Sequence, residues 1–401
     1  MSRISYCWEL GGGYGHLTSF KPLADILNSR GHTVTAFLRE VEHASKFFNK
    51  SDVDYSKIPV YRDHEKIVAP TVSYAAILKR CGYFSTESVL YYVNQWRTKF
   101  QQSATELIIA DYSPTALIAA RTLNIPATIL GTGFYTPPAI YPMPSIMPWL
   151  NTDDSELCKI ENEVLKIIND ILRHYDIKPF DYLYQLFDVE ENFLCTLPEL
   201  DHYEGRDPNS YWGPQYSDES GIKASAVSGA WPNKSAKKVF IYTNNDYQFK
   251  NELLSSLKNI NADFLVHCSN INDTELKKYT AENVIFSMSP VSIKSLENTA
   301  DMVVCHSGHG LNAASLMLGL PLLLLPTQLE QGILATKLNH FKFAGLVTIF
   351  DSAPDFVSKI EEVLNNPEYK EQAKKFSSFY GGFNQQDLCE EIAIACEMIL
   401  N

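Results

Sequence analysis

The amino-acid sequence predicts an α/β protein made of two doubly wound parallel sheets. Apolar, strand-length runs alternate with helix-period segments in the first 130 residues and again after residue 236. A glycine-rich turn stands between a strand and a helix in each half. At 401 residues, 45% hydrophobic and 20% charged, the chain is long enough for two cores of ordinary globular composition.

Residues 4–10 read as a short buried strand, and the turn 11–15 leads into a helix with Leu17, Phe20, Leu23, Ile26 and Leu27 on one face. Gly31 stops that helix, and 32–38, rich in Val, Thr and Phe, forms the next strand. A second strand, helix, strand unit follows over 107–110, 114–123 and 127–130. Between 136 and 148, Pro137, Pro138, Pro142, Pro144 and Pro148 forbid regular structure, and Tyr141, Met143 and Met147, with Trp149 beyond them, offer apolar surface. A mostly helical stretch runs to about residue 186, and a polar linker occupies 217–235. The alternation then restarts, with strands at 238–242, 263–267, 283–286, 301–305 and 322–325 and helices at 249–257 and 311–318. Leu388, Ile392, Cys396 and Ile399 make the final segment an amphipathic helix. The expected domains are 1–216 and 236–380, joined by 217–235 and followed by a terminal helix in 381–401.

Thirty-four Lys and Arg against forty-seven Asp and Glu give a net charge of −13, a field that repels phosphate backbones and anionic lipid surfaces, so no nucleic-acid partner is expected. The longest apolar stretch, 316–326, is broken by Gly319 and Pro321 and falls short of the roughly 20 residues a membrane helix needs. The opening residues lack a signal peptide's apolar centre, and the eight cysteines are dispersed without a Cys-x-x-Cys pair. A cytoplasmic protein with reduced thiols, monomeric or homodimeric, is the expectation.

A glycine turn ahead of a helix presents backbone N–H groups at the positive helix end, which suits anions. In Gly11-Gly12-Gly13-Tyr14-Gly15-His16, His16 stands where the dinucleotide fingerprint requires its third glycine. Neither turn ends in the Gly-Lys-Ser/Thr of a P-loop, so nucleoside triphosphate hydrolysis has no support. His16 lies at the mouth of a βα turn, where ligands bind, and its neutral ring accepts a proton. Asp111 ends a neighbouring strand and is the carboxylate placed to orient that ring; the other reading of both residues is a pair of helix caps. The second turn, His306-Ser307-Gly308-His309-Gly310, opens a small-residue helix containing Asn312, Ala313 and Ala314. A diphosphate fits such a turn, with His306 donating to a phosphate oxygen, although the glycines also read simply as turn residues. Glu330 and Gln331 follow another strand end, where a carboxylate and an amide suit sugar hydroxyls or form a solvated cap. No Asp-x-Asp follows an apolar strand and no cluster has metal-ligand spacing, so no metal is expected and helix ends must neutralise the diphosphate.

Taken together, the chain resembles the GT-B glycosyltransferases related to the macrolide and antibiotic glycosyltransferases and to the UDP-glucuronosyltransferases. The resemblance rests on Gly15-His16-Leu17 with Pro22-Leu23-Ala24 and Arg30-Gly31-His32-Thr33-Val34. Stronger still is His306-x-Gly308-x-Gly310 followed by Gly319-x-Pro321, Pro326 and Glu330-Gln331. It implies two Rossmann-like domains facing across a cleft, an N-terminal one for the acceptor and a C-terminal one for the nucleotide-sugar donor, with the last helix crossing back. It further implies that His16 deprotonates an acceptor hydroxyl with Asp111 in support, that the sugar is transferred with inversion, and that the nucleotide sugar is a co-substrate with no separate cofactor.

By the same resemblance the donor is held by Gly13, Gly15, Met288, Val291, His306, Gly308, His309, Gly310, Leu311, Asn312, Glu330 and Gln331. The acceptor would meet Tyr14, Gly133, Phe134, Tyr135 and Trp149. Two departures bear on the donor. Leu311 stands where the family has Ser or Thr for a phosphate, leaving Asn312 or backbone amides to substitute. Ala314 stands where many UDP-sugar users have a Glu that grips both ribose hydroxyls, which makes a dTDP-sugar credible beside a UDP-sugar. An epimerase or hydrolase of GT-B form, or a non-catalytic helper, are the other functions such a chain can carry.

Overall fold

The structure is a computed structural model and describes residues 1–13, 15–42, 44–48, 53–58, 70–216, 231–348 and 350–401. Six parallel strands form the first sheet: β1 (Arg3–Trp8), β2 (Thr33–Leu38), β3 (Asp54–Lys57), β4 (Leu107–Asp111), β5 (Ala127–Gly131) and β6 (Glu191–Leu194), in the order β3-β2-β1-β4-β5-β6. Helices cover a parallel sheet on both faces, so its central strands carry continuous apolar runs. Accordingly Ile4–Trp8 of β1 and all of β4 are buried. Trp8 lies opposite Asp111, which brings the carboxyl ends of β1 and β4 side by side. The strand order reverses between these two, at the switch point where the loops part and leave room for a ligand.

The helix α1 (Gly15–Ser29) buries Leu17, Phe20, Leu23, Ala24, Ile26 and Leu27, and α2 (Ala44–Phe47) is a single turn. Two helices without a counterpart in the sequence reading, α3 (Tyr74–Arg80) and α4 (Thr86–Gln102), lead up to β4. Ser73 and Ser85 cap them, each accepting the backbone N–H three residues on, which satisfies a donor that the helix leaves unpaired. The helix α5 (Pro114–Leu123) starts on a proline, and α6 (Asp154–His174) supplies the helical stretch expected before residue 186.

The second sheet repeats the plan with β7 (Lys238–Asn244), β8 (Asp263–Ser269), β9 (Val284–Phe286), β10 (Met302–Cys305), β11 (Leu322–Leu324) and β12 (Ala344–Leu346), ordered β12-β11-β10-β7-β8-β9 and parallel throughout. Its helices are α7 (Lys250–Ser256), α8 (Asp273–Tyr279), α9 (His309–Met317), α10 (Leu329–His340), α11 (Phe356–Asn365) and α12 (Pro367–Phe379). The reversal here falls between β7 and β10. Val239, Ile241, Phe264, Val266, Val304 and Leu323 form its core with Ile360 and Val363 of α11.

The chain divides into two compact units, Met1–Gln215 with Asn384–Asn401, and Tyr216–Phe383. The last helix, α13 (Gln385–Leu400), therefore belongs to the first unit, where Arg30 donates to Glu390 and Glu397 at 2.7 and 3.0 Å. Most of the expected linker, 217–230, lies outside the described residues. Two of the boundaries that differ from the sequence reading lie at the switch points. β1 ends at Trp8, because Leu10 N–H turns to the carbonyl of Tyr112 at 3.0 Å. α9 begins at His309 rather than Leu311. All eight cysteines are free, and no described helix is long and apolar enough to cross a membrane.

Candidate active site

At the switch point of the first unit, His16 in the first turn of α1 places Nδ1 2.8 Å from Oδ2 of Asp111, the last residue of β4. A carboxylate only accepts, so Nδ1 carries the hydrogen and Nε2 holds the lone pair of the neutral ring. Both side chains are shielded, 12% and 6% exposed, so the interaction is little screened by water. Trp8 stacks on the imidazole with centroids 4.7 Å apart. Gly11 has φ +78°, and a β-carbon there would sit 2.9 Å from Nε2; glycine is the residue that both the backbone and the ring allow.

The hydroxyl of Tyr6, wholly buried on β1, donates to the same Asp111 oxygen at 2.6 Å. Glu9 is buried in the following turn, where its Oε2 accepts the N–H of Thr115 at the start of α5 at 2.9 Å. Burial pushes its carboxyl up to about 7 against these helix-end hydrogen bonds. Glu9 thus ties the turn leading to His16 to the helix that follows Asp111.

Of the expected acceptor residues, Tyr14 lies outside the described residues. Tyr135 stacks on Tyr112 with centroids 4.3 Å apart and tilts toward His16 at 6.2 Å. Gly131 makes the room, since a β-carbon there would meet the Tyr135 ring at 2.5 Å. Phe134 is buried edge-on to Tyr112, whereas Trp149 stands 48% exposed. Gly133, at φ +90°, sits under a buried ion pair that residue patterning gave no sign of. Arg206 binds Asp201 at 2.6 Å and donates to the carbonyls of Gly133 and Thr136 at 2.9 and 2.7 Å, while the Tyr203 hydroxyl donates to the carbonyl of Phe134. The loop bearing Tyr135 is held by its backbone. Gly13, with φ +88°, and Gly15 at the start of α1 complete the turn.

At the switch point of the second unit, His306 follows β10. Its Nδ1 donates to the carbonyl of Leu325 at 2.9 Å, and its Nε2 accepts from the Thr243 hydroxyl at the end of β7 at 3.0 Å. Burial holds the ring neutral, below the ordinary histidine range. With both nitrogens engaged inside the unit, the ring has no hydrogen left to give a phosphate, contrary to the donor role expected for it. Asn312 is likewise taken up: fully buried, it donates to Ser307 Oγ at 3.1 Å and accepts from the Cys305 thiol. It braces a turn in which Ser307 adopts φ +60°.

What the turn presents is backbone. Gly308 precedes α9, a β-carbon on it would meet nothing within 4 Å, and the N–H groups of His309, Gly310 and Leu311 form the first turn, whose donors have no partner within the helix. Burial pushes His309 down to about 4, so it adds no charge near neutral pH. Gln331 Oε1 accepts from the backbone N–H and hydroxyl of Thr327 at 2.9 and 3.0 Å, with Glu330 beside it in the first turn of α10. Met288 is 65% exposed, whereas the Val291 side chain is buried. The segment carrying them is pinned by His267 of β8, which donates to the carbonyl of Ser287 at 3.1 Å. Among the described residues no group of three His, Cys, Asp or Glu side chains is gathered as metal ligands.

This pair of six-stranded parallel sheets superposes on solved structures of antibiotic glycosyltransferases. CalG4, the calicheamicin glycosyltransferase, superposes with a TM-score of 0.71 at 14% identity, covering 98% of each chain. The glycosyltransferase VinC in complex with dTDP gives 0.65 at 14% identity, again covering 98% of each. SsfS6 of Streptomyces sp. SF2575, complexed with thymidine diphosphate, gives 0.62 at 16% identity over 98% of this chain and 99% of that one. The fold is GT-B. No protein-family model matches this GT-B chain, and no curated protein matches it. Its switch-point residues therefore stand on their own geometry.

Proposed function

We propose that this GT-B chain is a glycosyltransferase. It moves a sugar from a nucleotide diphosphate, a dTDP- or UDP-sugar, to a hydroxyl of a small-molecule or glycosylated acceptor, with inversion and without a metal. The observation that carries the reading is the His16 Nδ1 contact with Asp111 at the switch point of the first unit. The acceptor hydroxyl gives its proton to His16 Nε2 and its oxygen bonds to the anomeric carbon. The bond from that carbon to the diphosphate breaks, and the electron pair leaves with the diphosphate. Asp111 balances the imidazolium so formed, as a buried carboxylate at that distance does.

The leaving diphosphate is held by the N–H groups of the first turn of α9, with His306 acting through the turn it braces rather than through its own ring. Thymidine as the nucleoside is supported by Ala314, which puts no carboxylate where ribose hydroxyls would be gripped, and by the dTDP seen in VinC and SsfS6. Titration calorimetry with dTDP and UDP tests the donor: tighter dTDP binding is expected, and clearly tighter UDP binding overturns that choice. Incubation with dTDP-sugars and hydroxylated aromatic or glycosylated acceptors, read by the anomeric coupling in the product, tests the reaction. An inverted glycoside supports it, retention contradicts the single displacement, and free or epimerised sugar points to a hydrolase or epimerase.

A further inference from the structure

We infer that Tyr6 is a positioning residue for the His16–Asp111 pair, a third member whose hydroxyl fixes the Asp111 carboxylate and limits how strongly it draws a proton onto His16. The inference rests on the reading of His16 as the base, although its first test does not need that reading. Oδ2 of Asp111 receives two donors, His16 Nδ1 at 2.8 Å and the Tyr6 hydroxyl at 2.6 Å, while Oδ1 is buried with no hydrogen-bond partner among the described residues. All the hydrogen bonding that orients the carboxylate therefore runs through one oxygen. The Tyr6 oxygen also lies 3.2 Å from the carbonyl of His16, but its single hydrogen goes to the nearer, charged acceptor.

The phenol cannot drift, since its ring stacks on Phe20 of α1 at 3.8 Å and 8°. Burial, then the adjacent Asp111 charge, keeps it protonated. A carboxylate that accepts two hydrogen bonds is less basic than one that accepts a single bond, so it stabilises an imidazolium less. Tyr6 thereby favours the neutral ring, the form that takes the acceptor proton. Among the described residues, the other titratable groups around the pair include Tyr112 beside Gly11, Tyr135 across from the imidazole, Cys195 near Asp111, and Cys7 and Glu9 on the same strand and turn. Of these, Tyr135 and Cys7 also interact electrostatically with Tyr6, and the Asp111→Asn background separates their contribution from that of the carboxylate.

Tyr6→Phe keeps the stacking ring and deletes the donor. In the free protein, NMR titration of labelled histidine, with the His16 signal assigned by its loss in His16→Ala, is expected to show the His16 midpoint moved up by about half a unit or more. In an Asp111→Asn background the same change is expected to move it negligibly. An unmoved midpoint in folded Tyr6→Phe, or an equal shift in the Asp111→Asn background, overturns the inference. Should Tyr6→Phe fail to fold, the wild-type chain labelled at tyrosine Cζ provides the reciprocal reading: the Tyr6 signal responds as His16 titrates, and a silent Tyr6 overturns the coupling. For transfer, the acid limb of kcat/KM is expected to move up with the midpoint while the donor KM stays constant. A shifted midpoint in a chain that transfers no sugar leaves the coupling standing and refutes the catalytic reading instead.

Discussion

The two units place chemically opposite pairs at the same topological address. In each, a side chain from the first strand or from the helix that follows it meets one from the end of the fourth strand: His16 with Asp111 at 2.8 Å in the first unit, Thr243 with His306 at 3.0 Å in the second. A histidine beside a carboxylate is set to gain a proton and keep it as a stabilised cation. A histidine between a hydroxyl and a carbonyl, pushed down by burial, is set to stay neutral and serve as a brace. Under the proposed function, one topology yields a proton-handling crevice and an uncharged cradle whose affinity for anions comes from a helix end.

The largest expected break in this contrast is at Asp111. Asp111→Asn keeps the shape but removes the charge that supports the imidazolium, so transfer is expected to fall by about a hundredfold or more, read as kcat/KM at constant protein stability. An effect below threefold would place the support elsewhere.

A second expectation sharpens the contrast through pH. Glu9 in the first unit has its carboxyl pushed from 4.5 up to about 7, so the folded unit holds that proton more tightly than the unfolded chain. The resulting cost to stability is absent below pH 4.5, grows as pH rises through about 7, and approaches about 3 kcal/mol above it. His309 in the second unit is pushed from 6.5 down to about 4. Its cost is absent above pH 6.5 and grows as pH falls toward 4, reaching a similar size. Hydrogen exchange of β4 and β10 amides is expected to show the first unit weakening through this term as pH rises from about 4.5 to 7, and the second weakening as pH falls from about 6.5 to 4. Glu9→Gln is expected to abolish the loss between about pH 4.5 and 7 without altering the second unit.

Smaller again is Gly11→Ala, which imposes φ +78° on a residue with a side chain and sets a methyl 2.9 Å from Nε2. A loss of about 1–2 kcal/mol in thermal melts is expected, with a drop in kcat larger than that loss explains. The same substitution at Gly308, where φ is −65° and the added carbon meets nothing within 4 Å, is expected to leave melting unchanged.

The doubly wound plan was legible in the sequence because β1, β4, β7 and β10 are central strands, and burial on both faces leaves an unbroken apolar run. α4 was equally open to reading, with Val89, Val93, Trp96 and Phe100 at helical spacing behind Ser85, yet the segment before residue 107 was passed over. β3, written Asp-Tyr-Ser-Lys and partly exposed at the sheet edge, carries no such pattern and forms only because β2 is there to pair with it. His16 and Asp111 stand out in the sequence because glycines and strand ends advertise them, and the structure sets them 2.8 Å apart. Tyr6 does not, for a tyrosine inside an apolar run looks like packing until its hydroxyl is seen to reach Asp111. Nor does any local signal announce Asp201 with Arg206, which act on the loop at Gly133 from some seventy residues away. The partners of His306 were not legible either, because the Thr243 and Leu325 atoms that occupy its ring come from β7 and from the residue after β11.

The division of labour between the two switch points is tested most directly by His16→Ala, assayed for dTDP binding by calorimetry and for sugar transfer under identical conditions. The account predicts an unchanged dTDP affinity together with a fall in transfer of about a thousandfold. Near-normal turnover, or dTDP binding lost along with it, would contradict it.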